Sequence, residues 1–219
     1  MSENKYDLLH QAVEKIAISA EDAHALVDNY KRQARLANPS FCDSEIKQMI
    51  GSKVIDRYAK LAAASGAATA SAGIIPGVGT AVAIIGGGLA DAAAAMKLQV
   101  DMTMCIAATY DYDLTNEDAK HLSFLIAGLG AVEQAATGSA SKFASKASVK
   151  MIDQYLKGAT LIAVKEIFKK FGIEFTKAGL KKALPFGIGV AISSSTNYAL
   201  TQYVGKQALE WFTLNPNRN

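Results

Sequence analysis

Residues 61 to 90 read LAAASGAATASAGIIPGVGTAVAIIGGGLA: thirty consecutive positions without a charge, twenty-one of them Ala, Gly, Ser or Thr, broken near the middle by Ile74-Ile75-Pro76-Gly77-Val78-Gly79. A run of this length can cross a bilayer, whose apolar core takes about 20 residues of helix. Its composition argues the other way. From Ala72 to Ala90 only Ile74, Ile75, Val78, Val82, Ile84, Ile85 and Leu89 favour insertion, together by about −2 to −4 kcal/mol. Six glycines, Pro76 and Thr80 oppose them. Side chains this small instead allow helix backbones to approach closely. Two readings follow: a helical hairpin packed inside a domain through small residues, or one that leaves the domain and enters lipid conditionally. In either, Ile74, Ile75, Pro76, Gly77, Val78 and Gly79 form the tip.

A second uncharged run, Ala183 to Gly205, is interrupted by Ser193-Ser194-Ser195-Thr196-Asn197, and neither run reads as an ordinary transmembrane span. The two share a layout. Pro76-Gly77-Val78-Gly79 opens a helix on which Gly79, Ala83, Gly87 and Asp91 recur at i, i+4, hence on one face. Pro185-Phe186-Gly187-Ile188-Gly189 opens another, with Gly189, Ser193 and Asn197 in the same relation. Proline at a helix start loses no hydrogen bond, and a glycine after it permits close approach. Two such helices are expected to cross tightly at Gly79 and Gly189, with Gly205 less crowded. At that buried crossing Asp91 and Asn197 would be polar groups in need of partners, either as a structural hydrogen bond or as a polar lock.

Around these hairpins the chain predicts an all-α, single-domain bundle. At 219 residues with half of them hydrophobic, it can bury a core without staples. Residues 1–42 read as an N-terminal amphipathic helical pair, 43–213 as the main helical domain and 214–219 as a tail. Helices are expected over 5–18, 20–37, 43–75, 78–112, 119–136, 149–171, 175–184 and 186–212. Ser19 is placed to cap the second and Asn38-Pro39 to end it. Cys42 and Cys105 lie far apart and read as buried thiols of a reducing compartment. The polar N-terminus has no apolar core of a secretory signal, which makes a cytoplasmic location the expectation.

The formal charge of +3 is unevenly spread: Lys142 to Lys182 holds ten lysines against Asp153, Glu166 and Glu174. In this region Lys150, Lys157, Lys165, Lys169, Lys170, Lys177, Lys181 and Lys182 alternate with apolar residues at helical spacing, a pattern suited to an anionic lipid surface. An ordinary solvated helix face gives the same pattern. Nucleic acid is not the expected partner, because the stretch lacks arginine and the total charge is small.

Pro76-Gly77-x-Gly79-Thr80-Ala81 with Asp91, Leu98-Gln99 and Ala107-Ala108-Thr109-Tyr110, then Leu184-Pro185-x-Gly187-x-Gly189 with Asn197-Tyr198-x-x-Thr201-x-x-x-Gly205-Lys206-x-Ala208, resemble the two signature blocks of the EcsC family. The resemblance spans about residues 50 to 213. It implies a bacterial, helical, membrane-associated protein, in context an accessory to a transporter, and carries over no catalytic residue.

No cofactor or metal is expected. The histidines His10, His24 and His121 form no His-x-x-x-His or His-Glu-x-x-His pair. The loop at Pro76 has no strand before it and no Gly-Lys-Ser/Thr to complete a phosphate cradle. Asp111-Tyr112-Asp113 reads as a helix terminus before a cation site, and Asp101 as solvent-facing or paired to a lysine. A Cys105–His121 nucleophilic pair lacks a visible orienting group. The expectation is a non-catalytic binding protein, peripheral on the inner face of a membrane, whose partner is anionic lipid or a membrane protein; self-association is compatible with it. The competing expectations are a pore-forming or bilayer-disrupting protein that inserts the 61–90 hairpin, and a soluble scaffold or adaptor.

Overall fold

A computed structural model describes residues 3–67, 89–137, 152, 160–183 and 194–216. The described residues are helical throughout, with no strand: α1 Glu3–Ile16, α2 Ala20–Ala37, α3 Asp43–Ala67, α4 Ala90–Thr109, α5 Glu117–Thr137, α6 Thr160–Ala183 and α7 Ser194–Leu214. The all-α bundle expected from sequence is the fold observed. Positions 68–88 and 184–193 lie outside the described residues, and with them the expected hairpin tip at 74–79, Gly79, Gly189 and both Pro/Gly-initiated helix starts.

The local signals act as read. Ser19 Oγ accepts the Asp22 N–H at 3.0 Å and caps α2, and the Asn38 N–H closes its C-terminus on the Ala34 carbonyl at 2.9 Å. The Glu45 carboxylate reaches back to the Cys42 N–H at 2.8 Å, half of a capping box at the start of α3. Asn116 Oδ1 does the corresponding work for α5, accepting the Asp118 N–H at 2.8 Å.

α4 is the axis of the molecule, touching each of the other six described helices. From Met96 to Tyr110 every residue on it is buried, so its apolar character runs all round, as a central helix requires. Around it, α3 packs on α7 and α6 on α5, while α1 and α2 share the same core through Leu9, Ala12, Val13, Ala23 and Val27. Glycines are closely packed where α7 meets α3 and α4: Gly205 of α7 faces Ile55 and Met102, and Gly51 of α3 faces Leu209. Gly205 is therefore crowded; Gly79 and Gly189, beside which it was expected to be the roomier, lie outside the described residues.

Two boundaries differ from the sequence reading. Over 160–183 the break expected between 171 and 175 is absent: α6 is continuous there, Gly172 is helical, and the Thr176 hydroxyl donates to its carbonyl at 2.8 Å. Cys42 is exposed, since it stands at the start of α3, whereas Cys105 is buried on α4.

Candidate functional site

Of the lysines expected at a membrane surface, Lys150 and Lys157 lie outside the described residues. Lys177, Lys181 and Lys182 fall on α6, their side chains outside the described set. Lys165 and Lys170 are exposed and Lys169 half-buried. The apolar face of this helix, Ala163, Val164, Ile167, Phe168 and Phe171, is committed to the core, which corrects the picture of an amphipathic helix with its apolar side free for lipid. What remains outside is the lysine face together with Leu161 and Ile162, the latter 61% exposed although apolar.

The predicted pairing of Asp91 with Asn197 at a buried crossing does not occur as drawn. Asp91 is exposed in the first turn of α4, and Asn197 is half-buried. The polar contact between these helices lies further along. Gln99 Nε2 donates to Thr201 Oγ1 at 3.0 Å, and that hydroxyl donates to the Asn197 carbonyl at 2.9 Å. Gln99 lies about two turns beyond Asp91, in the part of α4 that is buried on every side, whereas Asp91 stands exposed in the first turn. Gln99 belongs to the first motif block and Thr201 to the second, and the fold brings the two together.

A second polar element is buried on the same axis. Lys97 pairs with Asp101 one turn on, and Asp101 also accepts the Ile18 N–H at 2.8 Å, tying the α1–α2 junction to α4. Burial pushes the Asp101 carboxyl above its usual range, against the opposing pull of Lys97 and the Ile18 N–H. The lysine pairing read from sequence is present; the solvent-facing alternative is not. At the other end of α4, Asp111 takes a left-handed conformation, φ 64°, and receives Lys31 at 2.8 Å and Lys47 at 2.7 Å. Partial burial raises its pKa, but the two lysine hydrogen bonds outweigh it and hold the carboxyl below its usual range.

Cys105 and His121 have separate partners. The Cys105 thiol sits 3.6 Å from the Tyr58 hydroxyl, and burial pushes its pKa up to about 12, so it is protonated at neutral pH. His121 Nε2 instead lies 3.7 Å from a Glu117 oxygen.

That histidine belongs to a cluster the sequence reading missed. Glu14, Glu117 and His121 each place one ligand-capable atom within 4.8 Å of the others. His10 adjoins them, its Nδ1 3.9 Å from Glu14 Oε2. It is 3% exposed, edge-on to Phe124 and Phe168 at 5.9 and 5.5 Å, and neither ring nitrogen has a hydrogen-bond partner among the described residues. Burial holds the His10 pKa below its usual value. Lys120 Nζ lies between the carboxylates, 3.2 Å from Glu14 and 3.7 Å from Glu117. The available signal was His10-x-x-x-Glu14 and Glu117-x-x-x-His121, two i, i+4 pairs that only the packing of α1 near α5 unites.

No protein-family model, curated protein or solved structure matches the chain at a significant level. Among the described residues, no helix is long and apolar enough to cross a membrane.

Proposed function

We propose that this protein is a non-catalytic helical binding protein, peripheral on the cytoplasmic face of a membrane, which docks on anionic headgroups and serves as an accessory to a membrane protein. The observation that carries this reading is the outer face of α6, where the exposed apolar side chains Leu161 and Ile162 stand beside Lys165, Lys169 and Lys170. An apolar pair next to a basic face suits the boundary between headgroups and acyl chains. Each lysine near such a surface contributes about 1 kcal/mol, an attraction that salt screens. Membership in the EcsC family is part of the proposal, and it rests on the motif residues alone. The Ala/Gly-rich 61–90 stretch would then pack against lipid or the partner protein.

Flotation tests this. The chain should float with vesicles containing a fifth or more phosphatidylglycerol, stay behind with pure phosphatidylcholine, and be released from the anionic vesicles as salt rises. Equal recovery with both vesicle types, or none with either, would contradict lipid docking.

A further inference from the structure

Among the described residues the buried ring of His10 has unmet hydrogen-bonding capacity next to a carboxylate, which is rare in a folded interior, and a metal ion is one group that meets it. Two ligand atoms that share an ion at about 2.1 Å can be no more than about 4.2 Å apart. The His10–Glu14 and Glu117–His121 pairs, at 3.9 and 3.7 Å, both satisfy this limit. Each is an i, i+4 pair, one on α1 and one on α5; Glu14, Glu117 and His121 already place ligand atoms within 4.8 Å of one another, whereas His10 meets this group through Glu14, so closing a four-ligand shell requires side-chain rotation at both His10 and Glu14.

We propose that His10, Glu14, Glu117 and His121 bind one divalent transition-metal ion, Zn2+ fitting best, between α1 and α5. Two imidazoles and two carboxylates favour zinc over magnesium or calcium, which prefer oxygen alone. Four protein ligands close a tetrahedral shell, the arrangement of a structural site. The ion would cross-link the first helix to the fifth. Lys120 marks the position electrostatically: its ammonium already lies between the two carboxylates, and the incoming ion displaces it.

The test uses the untagged chain in a Cys42→Ser background, so that the exposed thiol adds no ligand. Zn2+ is titrated in competition with a chromophoric chelator, and Co2+ is followed by its visible absorption. One equivalent should bind with a tetrahedral Co2+ spectrum. Glu117→Gln and His121→Gln, both near the surface, should each weaken binding at least about tenfold while leaving the helical circular dichroism unchanged. Lys120→Met should tighten it, because it removes the competing cation. The part played by buried His10 is read in the unsubstituted site, where Co2+ should shift the imidazole proton resonances of His10 as well as those of His121. Failure to bind one equivalent, or unchanged affinity in the Glu117→Gln/His121→Gln double variant, overturns the site; a His10 resonance indifferent to Co2+ overturns the four-ligand arrangement.

Discussion

Asp101 is held by two groups from different parts of the chain, and removing it should show how unlike its neighbours it is. Asp101→Ala leaves the Lys97 ammonium buried without its partner and the Ile18 N–H without its acceptor. Breaking a buried ion pair from one side costs about 3–5 kcal/mol. The double variant Lys97→Met/Asp101→Asn retains an acceptor for Ile18 and buries no charge, so it should recover most of the loss; urea titration of the three chains checks this, and a double variant no more stable than Asp101→Ala would contradict it. Asp111 behaves differently because its side chain is about half exposed. Its lowered pKa adds stability that is fully present above the ordinary carboxylate range, about pH 3.9, and is lost as pH falls through the folded value. Asp111→Asn tolerates the left-handed backbone and removes the charge together with one of the two oxygens that accept from Lys31 and Lys47. It should be slightly less stable than the parent at pH 7, by under about 1 kcal/mol, and converge with it in acid; a gap that persists at pH 2 would mean the charge is not responsible. At this scale the sequence exposed the i, i+4 spacing of Lys97 and Asp101, but not their burial. That depends on the α1–α2 junction packing against α4, a contact between residues 83 apart.

Helix–helix contacts turn on the glycines of α3 and α7. A Cβ at Gly205 would lie 2.6 Å from Ile55 Cγ1 and 2.9 Å from Met102 Sδ, and Ile55 is β-branched and stiff at that carbon. A Cβ at Gly51 meets the methyl ends of Leu209, which can turn aside. Alanine gains about 1 kcal/mol of helix propensity over glycine at either place, against overpacking of about 1–3 kcal/mol where the neighbour cannot move. Gly205→Ala should therefore lower the urea midpoint, and Gly51→Ala should lower it less or raise it. The reverse order would show that Ile55, not Leu209, is the neighbour that yields. Small-residue packing was legible from composition. The crowding at Gly205 was not, because it depends on where α7 meets both α3 and α4. Likewise, Ser19 and Asn38 announced their helix ends through side chains that bond locally, whereas the gap expected between 171 and 175 does not interrupt α6.

For the whole molecule, the issue is which surface meets a membrane. If the 61–90 hairpin inserts, a charge at its tip meets a cost of about 2.5–3.5 kcal/mol; if it stays with the domain, the same charge is tolerated. Ile75→Lys should keep the circular dichroism of the parent and weaken vesicle binding without abolishing it. Dye release by the parent that Ile75→Lys eliminates would favour the pore-forming alternative. The helical class was readable throughout the chain, from periodicity, capping residues and the shortage of alternating β-branched runs. The surface was not, since helical spacing shows that α6 has a basic side but not that its apolar side is already spent on the core. The central claim is that the remaining lysine face docks on lipid. Its most direct test compares flotation of the parent with that of the Lys165→Gln/Lys169→Gln/Lys170→Gln variant on phosphatidylglycerol-containing vesicles at low salt. The account predicts that the folded triple variant stays behind while the parent floats; equal flotation of the two would contradict it.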